Sequence, residues 1–198
     1  AFEMTSVRDI YDSLAARYEI RWKKYIGRSV EATLRRARVK AGDRAIDIGC
    51  GTGALLRELI ARGVRACGAD VSIGMLAHAS SPVAAGDAES LPFRSGTFDV
   101  AFTASSLHFW PNPLRGLDEI RRVLRRGGQV VITDWCDDYF ACRACNAYLR
   151  FREPTHHKIF SRTECVAMLE QSGFRVLHID RYKISWIWGL MTAVAELR

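Results

Sequence analysis

Three glycines and a preceding aspartate form the stretch of this chain with the clearest chemical meaning. An apolar run ends at Asp47 and Ile48, and Gly49, Gly51 and Gly53 follow at every second position. Such a run is typical of a buried strand, and glycines at this spacing let the next turn bend sharply and bring its backbone close to a ligand. We therefore expect a nucleotide-like cofactor to bind at this turn.

Two further aspartates stand where the next two predicted strands end. Asp70 follows the strand after the glycine turn, and Asp87 follows the strand after that. Ligands of open α/β sheets bind outside the carboxyl ends of the strands. At those positions Asp70 can accept hydrogen bonds from both hydroxyls of a ribose, and Asp87 can accept one from an adenine amino group. Each acid taken alone also fits a helix cap. A ligand is favoured because Asp47, Asp70 and Asp87 stand at three successive strand ends.

The glycine pattern by itself fits two classes of cofactor. Gly49, Gly51 and Ala54 satisfy the loose dinucleotide pattern G-x-G-x-x-G/A, whereas Gly49, Gly51 and Gly53 give G-x-G-x-G. The pyrophosphate of a dinucleotide is negatively charged and needs free backbone amides at a helix start. An S-adenosyl sulfonium carries a positive charge, so a nearby carboxylate such as Asp47 suits it better than it suits a phosphate.

Strand and helix patterns alternate around these residues. We predict an N-terminal helical segment over 6–38, and helices after Gly53, after Ser72, from Asn112 to Gly127-Gly128, over 138–152 and after Ser161. Strands are predicted at 44–48, 64–69, 82–85, 98–103, 129–133 and 174–179, with a last apolar segment at 182–195. This alternation predicts an α/β fold with a largely parallel sheet and helices on both faces, in a single domain over 1–198.

Composition narrows the class of protein further. The net charge is +7, but the arginine pairs lie in helix-like segments, which indicates solvated helix faces rather than a nucleic-acid site. No apolar run approaches the roughly 20 residues of a membrane-spanning helix. Six cysteines without a signal-peptide pattern predict reduced thiols and a cytoplasmic location.

Taken together, the motifs resemble those of the class I S-adenosylmethionine-dependent methyltransferases, in the small-molecule branch that includes ubiquinone and menaquinone methyltransferases. The resemblance covers residues 8–180 and is carried by the segments 47–53, 86–93, 98–100 and 123–128, together with Asp70. It implies a Rossmann-like sheet of seven strands whose last strand, around 184–194, runs antiparallel. It also implies S-adenosylmethionine as the cofactor and S-adenosylhomocysteine as its product.

The resemblance assigns roles around the cofactor position by position. The glycines would let the backbone approach the methionine portion, Asp70 would hold the ribose, and Asp87 would read the adenine edge. Tyr18 resembles an N-terminal aromatic that closes over the cofactor. The full set of cofactor residues implied is Tyr18, Asp47, Gly49, Cys50, Gly51, Gly53, Asp70, Val71, Met75, Asp87, Ala88 and Ser105.

The acceptor side is expected after the fourth and fifth strands. His108 is the candidate general base or acceptor-orienting group, with a packing role as the alternative. Asp134 and Trp135 follow the fifth strand, where Trp135 could stack on an aromatic acceptor or pack in the core. The residues expected to contact the acceptor are Tyr11, His108, Trp110, Asp134, Trp135 and His157, and segment 135–160 is expected to form a lid over the site. Tyr139, Phe140, Tyr148, Leu149 and Phe151 would face the core or the substrate from that lid.

Three cysteines within ten residues leave an alternative open. Cys136, Cys142 and Cys145 could serve a thiol or metalloid acceptor, bind zinc with a histidine of the 156–157 pair, or act in redox chemistry. They also fit small buried residues of a helix, and we expect no metal site.

We therefore predict methyl transfer from S-adenosylmethionine to a small, apolar or aromatic acceptor by a monomer or homodimer. The alternatives are the thiol or metalloid acceptor, an NAD-type oxidoreductase and a non-catalytic cofactor-binding scaffold on the same fold.

Overall fold

The glycine turn follows a strand in the interior of a seven-stranded sheet. The computed structural model describes residues 6–152, 158–186 and 188–198. The strands lie in the order β3-β2-β1-β4-β5-β7-β6. They are β1 (Arg44–Ile48), β2 (Arg65–Asp70), β3 (Val83–Ala85), β4 (Phe98–Ala104), β5 (Leu124–Trp135), β6 (Phe174–Lys183) and β7 (Gly189–Leu197).

The five strands from β1 to β5 pair in parallel, and β7 pairs antiparallel with both β5 and β6. The chain adds β2 and β3 on one side of β1 and then returns to add β4 on the other side. The strand order therefore reverses between β1 and β4. A crevice forms at such a point in open α/β sheets, and it is where ligands bind. The predicted fold class, including the antiparallel last strand, is confirmed.

Helices cover both faces of the sheet. Successive buried side chains of its strands point to opposite faces, so each face needs a layer of helices to cover it. The helices are α1 (Val7–Arg36), α2 (Ala54–Ala61), α3 (Ile73–Leu76), α4 (Pro113–Val123), α5 (Phe140–Arg152) and α6 (Arg162–Gln171), with a 3-10 turn at Leu107–Phe109. Ile46 and Val130 pack with α4 and α6 on one face, whereas Ala45 and Val131 pack with α1 and α2 on the other. Within the described ranges, no helix is long and apolar enough to cross a membrane.

Two predicted boundaries were wrong. Helix α4 ends at Val123 rather than at the glycine pair, because Leu124 already pairs with Phe98 of β4. The last apolar segment predicted at 182–195 contains the end of β6 and most of β7, so the antiparallel strand implied around 184–194 begins later, at Gly189. Tyr182 pairs with Leu190 across this hairpin, and its hydroxyl lies 2.6 Å from Oγ1 of Thr192.

Helix α1 crosses the carboxyl edge of the sheet strand by strand. The Oγ1 of Thr52, after β1, donates to the carboxylate of Glu19 at 2.6 Å. Farther along the helix, Thr33 contacts β5, with its Oγ1 2.8 Å from the Oγ1 of Thr133. The last turn reaches β6, where the guanidinium of Arg36 lies 3.8 Å from the ring centre of Tyr182. This helix therefore forms a roof over the strand ends where the sequence places the cofactor.

Candidate active site

A cavity of about 740 Å³ lies at the carboxyl ends of β1 to β4, under α1. Most of the predicted cofactor residues line it: Tyr18, Asp47, Gly49, Cys50, Gly51, Asp70, Val71, Asp87, Ala88 and Ser105. Gly53 and Met75 do not line it. Gly53 begins α2 with a φ of +79°, and the buried Met75 lies under Gly51, 3.1 Å from where a Cβ on that glycine would stand.

The glycine turn is shaped by close approach of its backbone to neighbouring chain. Gly49 has a φ of +73°, and a Cβ there would lie 2.1 Å from Oγ of Ser106. The amides of Gly49 and Cys50 both donate to the carbonyl of Ala69, at 2.8 and 3.1 Å. The amides of Gly51 and Gly53 are also hydrogen-bonded within the protein. These four amides of the turn therefore have acceptors within the protein.

Backbone amides hold both carboxylate oxygens of Asp70 in place. One of its carboxylate oxygens accepts the Gly51 amide and the other accepts the Ser72 amide, each at 2.8 Å. Burial raises the pKa of this carboxyl, while those backbone donors act to lower it. Each oxygen retains a lone pair, so the fixed carboxylate can accept from two vicinal hydroxyls of a ligand.

Asp47 lies at the cavity wall, and one of its carboxyl oxygens has no hydrogen-bond partner within the described chain. Its side chain is only 3% exposed, and its Oδ1 has no hydrogen-bond partner within the described chain. Burial raises the pKa of this carboxyl, and the nearby negative charge of Asp70 raises it further. A buried, unpartnered carboxylate is stabilised by a cationic ligand and destabilised by an anionic one. The residues of this site therefore fit a positively charged S-adenosyl group and do not fit a phosphate.

Acidic side chains of α1 fasten this helix over the cavity. Asp12 accepts hydrogen bonds from Oγ of Ser72 at 2.6 Å and from the amide of Gly74 at 2.7 Å. Glu19 accepts from Thr52 and, at 2.8 Å, from the guanidinium of Arg57. Neither Asp12 nor Glu19 was predicted from the sequence, because their partners lie far away along the chain.

Aromatic rings form much of the remaining wall. Tyr11, which was predicted to contact the acceptor, lies edge-on to Tyr18 and to Phe109, with ring centres 5.8 and 5.5 Å apart. Burial raises the pKa of Tyr18 to about 12, so its hydroxyl is neutral at physiological pH. Trp110 also lines the cavity and donates its indole N–H to Oγ of Ser106 at 3.0 Å.

The structure places His108 and Asp134 behind the cavity wall rather than on it. Both are about 2% exposed, and Nδ1 of His108 lies 2.7 Å from Oδ1 of Asp134. The amides of His108 and Trp135 donate to the same carboxylate. The Trp135 ring stacks on His108 at 4.8 Å between ring centres and does not line the cavity. His108 is therefore a buried partner of Asp134 in this structure, without the access to the cavity that a general base needs.

Where it is described, the segment predicted to form a lid lies apart from this cavity. No described residue of 135–160 lines it, and Phe140 and Phe151 are 86% and 88% exposed. The expectation that these rings, with Tyr148, face the core or the substrate was wrong, because the buried face of α5 is formed by Cys142 and Asn146 instead. His157 lies outside the described residues.

The cysteine cluster is likewise remote from the cavity. Cys136 and Cys142 are buried, and burial raises the pKa of the Cys136 thiol to about 11. The sulfur of Cys142 lies 3.3 Å from both the amide and the carbonyl oxygen of Gly189. Cys136, Cys142 and Cys145 do not line the cavity, and within the described chain no group of histidine, cysteine, aspartate or glutamate side chains has the arrangement of a metal site.

Three polar residues of the site were missed by sequence analysis. The hydroxyl of Tyr25 lies 2.7 Å from Oγ of Ser105 and accepts the indole N–H of Trp135 at 2.7 Å. Ser29, one turn further along α1, also lines the cavity. Ser106, beyond β4, faces Gly49 across the glycine turn. No local pattern marks these residues, because they meet the cavity only through the packing of α1 against β4.

Comparisons with known proteins agree with this geometry. A family model described as "Methyltransferase domain" matches residues 46–132. A demethylmenaquinone methyltransferase of Beutenbergia cavernae is 30% identical over 179 residues, which cover 84% of this chain and 74% of that protein. A demethylmenaquinone methyltransferase of Corynebacterium kroppenstedtii is 36% identical over 108 residues, which cover 53% of this chain and 47% of that protein. The match to this second relative therefore spans about half of the relative's length.

A solved structure shows the same fold over nearly the whole chain. It is that of the complex between the Haloferax volcanii Trm112 methyltransferase activator and a methyltransferase, with a TM-score of 0.84. The match covers 94% of this chain and 96% of that chain at 20% identity.

Proposed function

Because this chain belongs to the class I S-adenosylmethionine-dependent methyltransferases, we propose that it transfers a methyl group from S-adenosylmethionine to a small, apolar or aromatic acceptor. The observation that carries the proposal is the pair of buried carboxylates at the strand ends. Asp70 is fixed by two backbone amides, and Asp47 has a buried oxygen without a partner. Together they suit a ligand that bears vicinal hydroxyls and a positive charge.

In this proposal each residue around the cofactor has a binding role. Asp70 accepts hydrogen bonds from the ribose hydroxyls, Asp87 and Ala88 bind the adenine edge, and Asp47 compensates positive charge in the methionine portion. Gly49 and Gly51 give the turn its close packing, since a Cβ at Gly49 would collide with Ser106, and in this proposal that turn lies against the methionine portion. The bound cofactor supplies a methyl group activated on a sulfonium.

The protein's own contribution to transfer is positioning and exclusion of water. An in-line displacement needs the acceptor atom about 3 Å from the methyl carbon, in a site closed to solvent. The roof of α1 and the rings of Tyr11, Tyr18 and Phe109 supply that closure. These apolar rings support an aromatic acceptor, as do the relatives named demethylmenaquinone methyltransferases.

The alternative interpretations have weaker support. A dinucleotide oxidoreductase is set aside by the family assignment. A thiol or metalloid acceptor held by Cys136, Cys142 and Cys145 lacks support because these sulfurs do not line the cavity. A non-catalytic scaffold on the same fold is separated from an enzyme by the assay below.

The test is a labelled-methyl transfer assay with phenol, quinol, thiol and arsenite acceptors. We expect label in a phenol or quinol product and S-adenosylhomocysteine in equal amount. Binding of S-adenosylhomocysteine without turnover of any acceptor would favour the scaffold, and label in the thiol or arsenite product alone would favour the alternative acceptors.

The remaining proposals concern the setting of the reaction. All six cysteines are free thiols, which supports a reducing, cytoplasmic compartment. We propose a small-molecule acceptor and a monomeric or homodimeric state, which sedimentation at several protein concentrations can test.

A further inference from the structure

Three polar side chains from three elements meet at the carboxyl end of β4. The indole N–H of Trp135 donates to the hydroxyl of Tyr25 at 2.7 Å, and that hydroxyl lies 2.7 Å from Oγ of Ser105. Ser105 has a φ of +57°, a strained value for a residue with a side chain, and its amide is held by the carbonyl of Thr133 at 2.8 Å. Strained residues held in this way are concentrated at ligand sites.

These three side chains carry more donor hydrogens than the hydrogen bonds that they form with one another. Trp135, Tyr25 and Ser105 contribute one N–H and two O–H groups, and they form two hydrogen bonds with one another. Whichever hydroxyl donates in the bond between Tyr25 and Ser105, one O–H is left over. Both of these residues line the cavity, so the spare hydrogen belongs to its wall.

A third hydroxyl belongs to a residue that lines the same cavity. Ser29 lies one turn beyond Tyr25 on α1 and is 3% exposed. Its Oγ has no hydrogen-bond partner within the described chain, and the residue lines the same cavity. A buried donor without an acceptor is costly, so a ligand that supplies an acceptor atom is favoured here.

We propose that Tyr25, Ser29 and Ser105 form a subsite that binds an oxygen atom of the methyl acceptor, such as a carbonyl or phenolate oxygen. This proposal rests on the proposed function and adds the chemical class of the group that the acceptor must carry. The spare O–H groups favour a hydrogen-bond acceptor over an apolar edge of the same size. The hydroxyl oxygens can accept from an N–H group, but such a ligand leaves the spare hydrogens unpaired.

The position of the subsite along the sheet separates it from the methyl donor. Asp87, Asp70 and Asp47 lie at the carboxyl ends of β3, β2 and β1. Ser105 follows β4, at the far end of this series. On α1, Tyr25 and Ser29 lie between the Glu19 contact to Thr52 and the Thr33 contact to β5. The hydroxyls therefore lie beyond the carboxylates that suit the donor, where the acceptor must approach.

Three bicyclic probes of nearly equal size test this selection. They are tetralin, which forms no hydrogen bond, 1,2,3,4-tetrahydroquinoline, which offers an N–H, and 1-tetralone, which offers a carbonyl oxygen. Calorimetry on protein saturated with S-adenosylhomocysteine should show 1-tetralone binding about tenfold more tightly than tetralin, and more tightly than tetrahydroquinoline, because only the carbonyl oxygen accepts the spare O–H. Equal binding of the three probes, or binding of none, would overturn the proposal.

Variants test whether these hydroxyls cause the tighter binding of 1-tetralone. In Tyr25→Phe/Ser29→Ala, the 1-tetralone advantage should fall to within about twofold while the affinity for S-adenosylhomocysteine is unchanged. The control Ile26→Val trims the cavity wall next to Tyr25 without touching a hydroxyl, so it should change the affinities of all three probes alike. If the double variant does not fold, Tyr25→Phe and Ser29→Ala singly should each narrow the advantage.

The outcomes separate this subsite from the proposed function. A full 1-tetralone advantage in the variants would overturn the subsite, as would a loss of S-adenosylhomocysteine affinity, because that would put the hydroxyls on the cofactor. Failure of the wild-type protein to bind S-adenosylhomocysteine would instead overturn the proposed function.

Discussion

The carboxylate of Asp12 accepts a hydrogen bond from Oγ of Ser72 at 2.6 Å, although the two residues are 60 positions apart. Through this contact and the Gly74 amide, the first turns of α1 are fixed to the start of α3 at the cavity rim. The roof of the cavity is thus held by specific polar contacts as well as by apolar packing.

Loss of this contact should loosen the roof. We expect Asp12→Ala to weaken S-adenosylhomocysteine binding about tenfold and to speed amide exchange in α1, whereas Asp12→Asn, which keeps an acceptor oxygen, should lose less. Calorimetry and hydrogen exchange measure the two effects. Wild-type affinity together with wild-type exchange in Asp12→Ala would show that the roof does not depend on this contact.

Alanine substitutions at two glycines with positive φ distinguish the cost of backbone strain from the cost of a steric clash. Gly42 has a φ of +88° and open space around its Cβ position, so Gly42→Ala should cost about 1 kcal/mol of unfolding free energy. Gly49→Ala adds a clash with Ser106 and should cost about 3 kcal/mol. Urea unfolding compares the pair, and equal losses would contradict the close packing at the glycine turn.

The raised pKa of Asp47 couples cofactor binding to pH. In the free protein, burial favours the protonated form of this carboxyl. A cationic ligand favours the ionised form, so binding releases a proton, and affinity should rise with pH from the ordinary aspartate range up to the raised pKa of the free protein. Calorimetry with S-adenosylmethionine, which carries the sulfonium charge, in buffers of different ionisation enthalpy counts that proton.

The matched variant for this pH effect is Asp47→Asn, which should bind less tightly and lose the Asp47 share of the proton release. An affinity that falls with rising pH in the wild type would contradict the assigned charge of the ligand.

His108 should act on stability rather than on cofactor binding. Because it is buried against Asp134, we expect His108→Ala to lower the unfolding free energy by about 1–3 kcal/mol while the affinity for S-adenosylhomocysteine is kept. Thermal unfolding and calorimetry provide the two readouts. A loss of methyl transfer without a loss of stability would instead restore His108 as the general base.

The parts of this protein that local patterns determine could be predicted from the sequence. β1 has its predicted bounds because an apolar run ends at a glycine turn, and Asp70 and Asp87 stand at strand ends because strand direction places them there. Residues on α1 such as Tyr25 and Ser29 gave no signal, since their role depends on which strand the helix crosses. The exposed rings of α5 were misassigned because apolar spacing identifies a helix face without showing what that face packs against.

Calorimetry of S-adenosylhomocysteine binding tests the central assignment most directly. We predict micromolar binding to the wild-type protein, no binding of NADH, and a loss of at least about 100-fold in Asp70→Ala because two charged hydrogen bonds to the ribose are removed. Thermal unfolding of the variant would verify that it remains folded. Binding of NADH without binding of S-adenosylhomocysteine, or unchanged affinity in folded Asp70→Ala, would contradict the account.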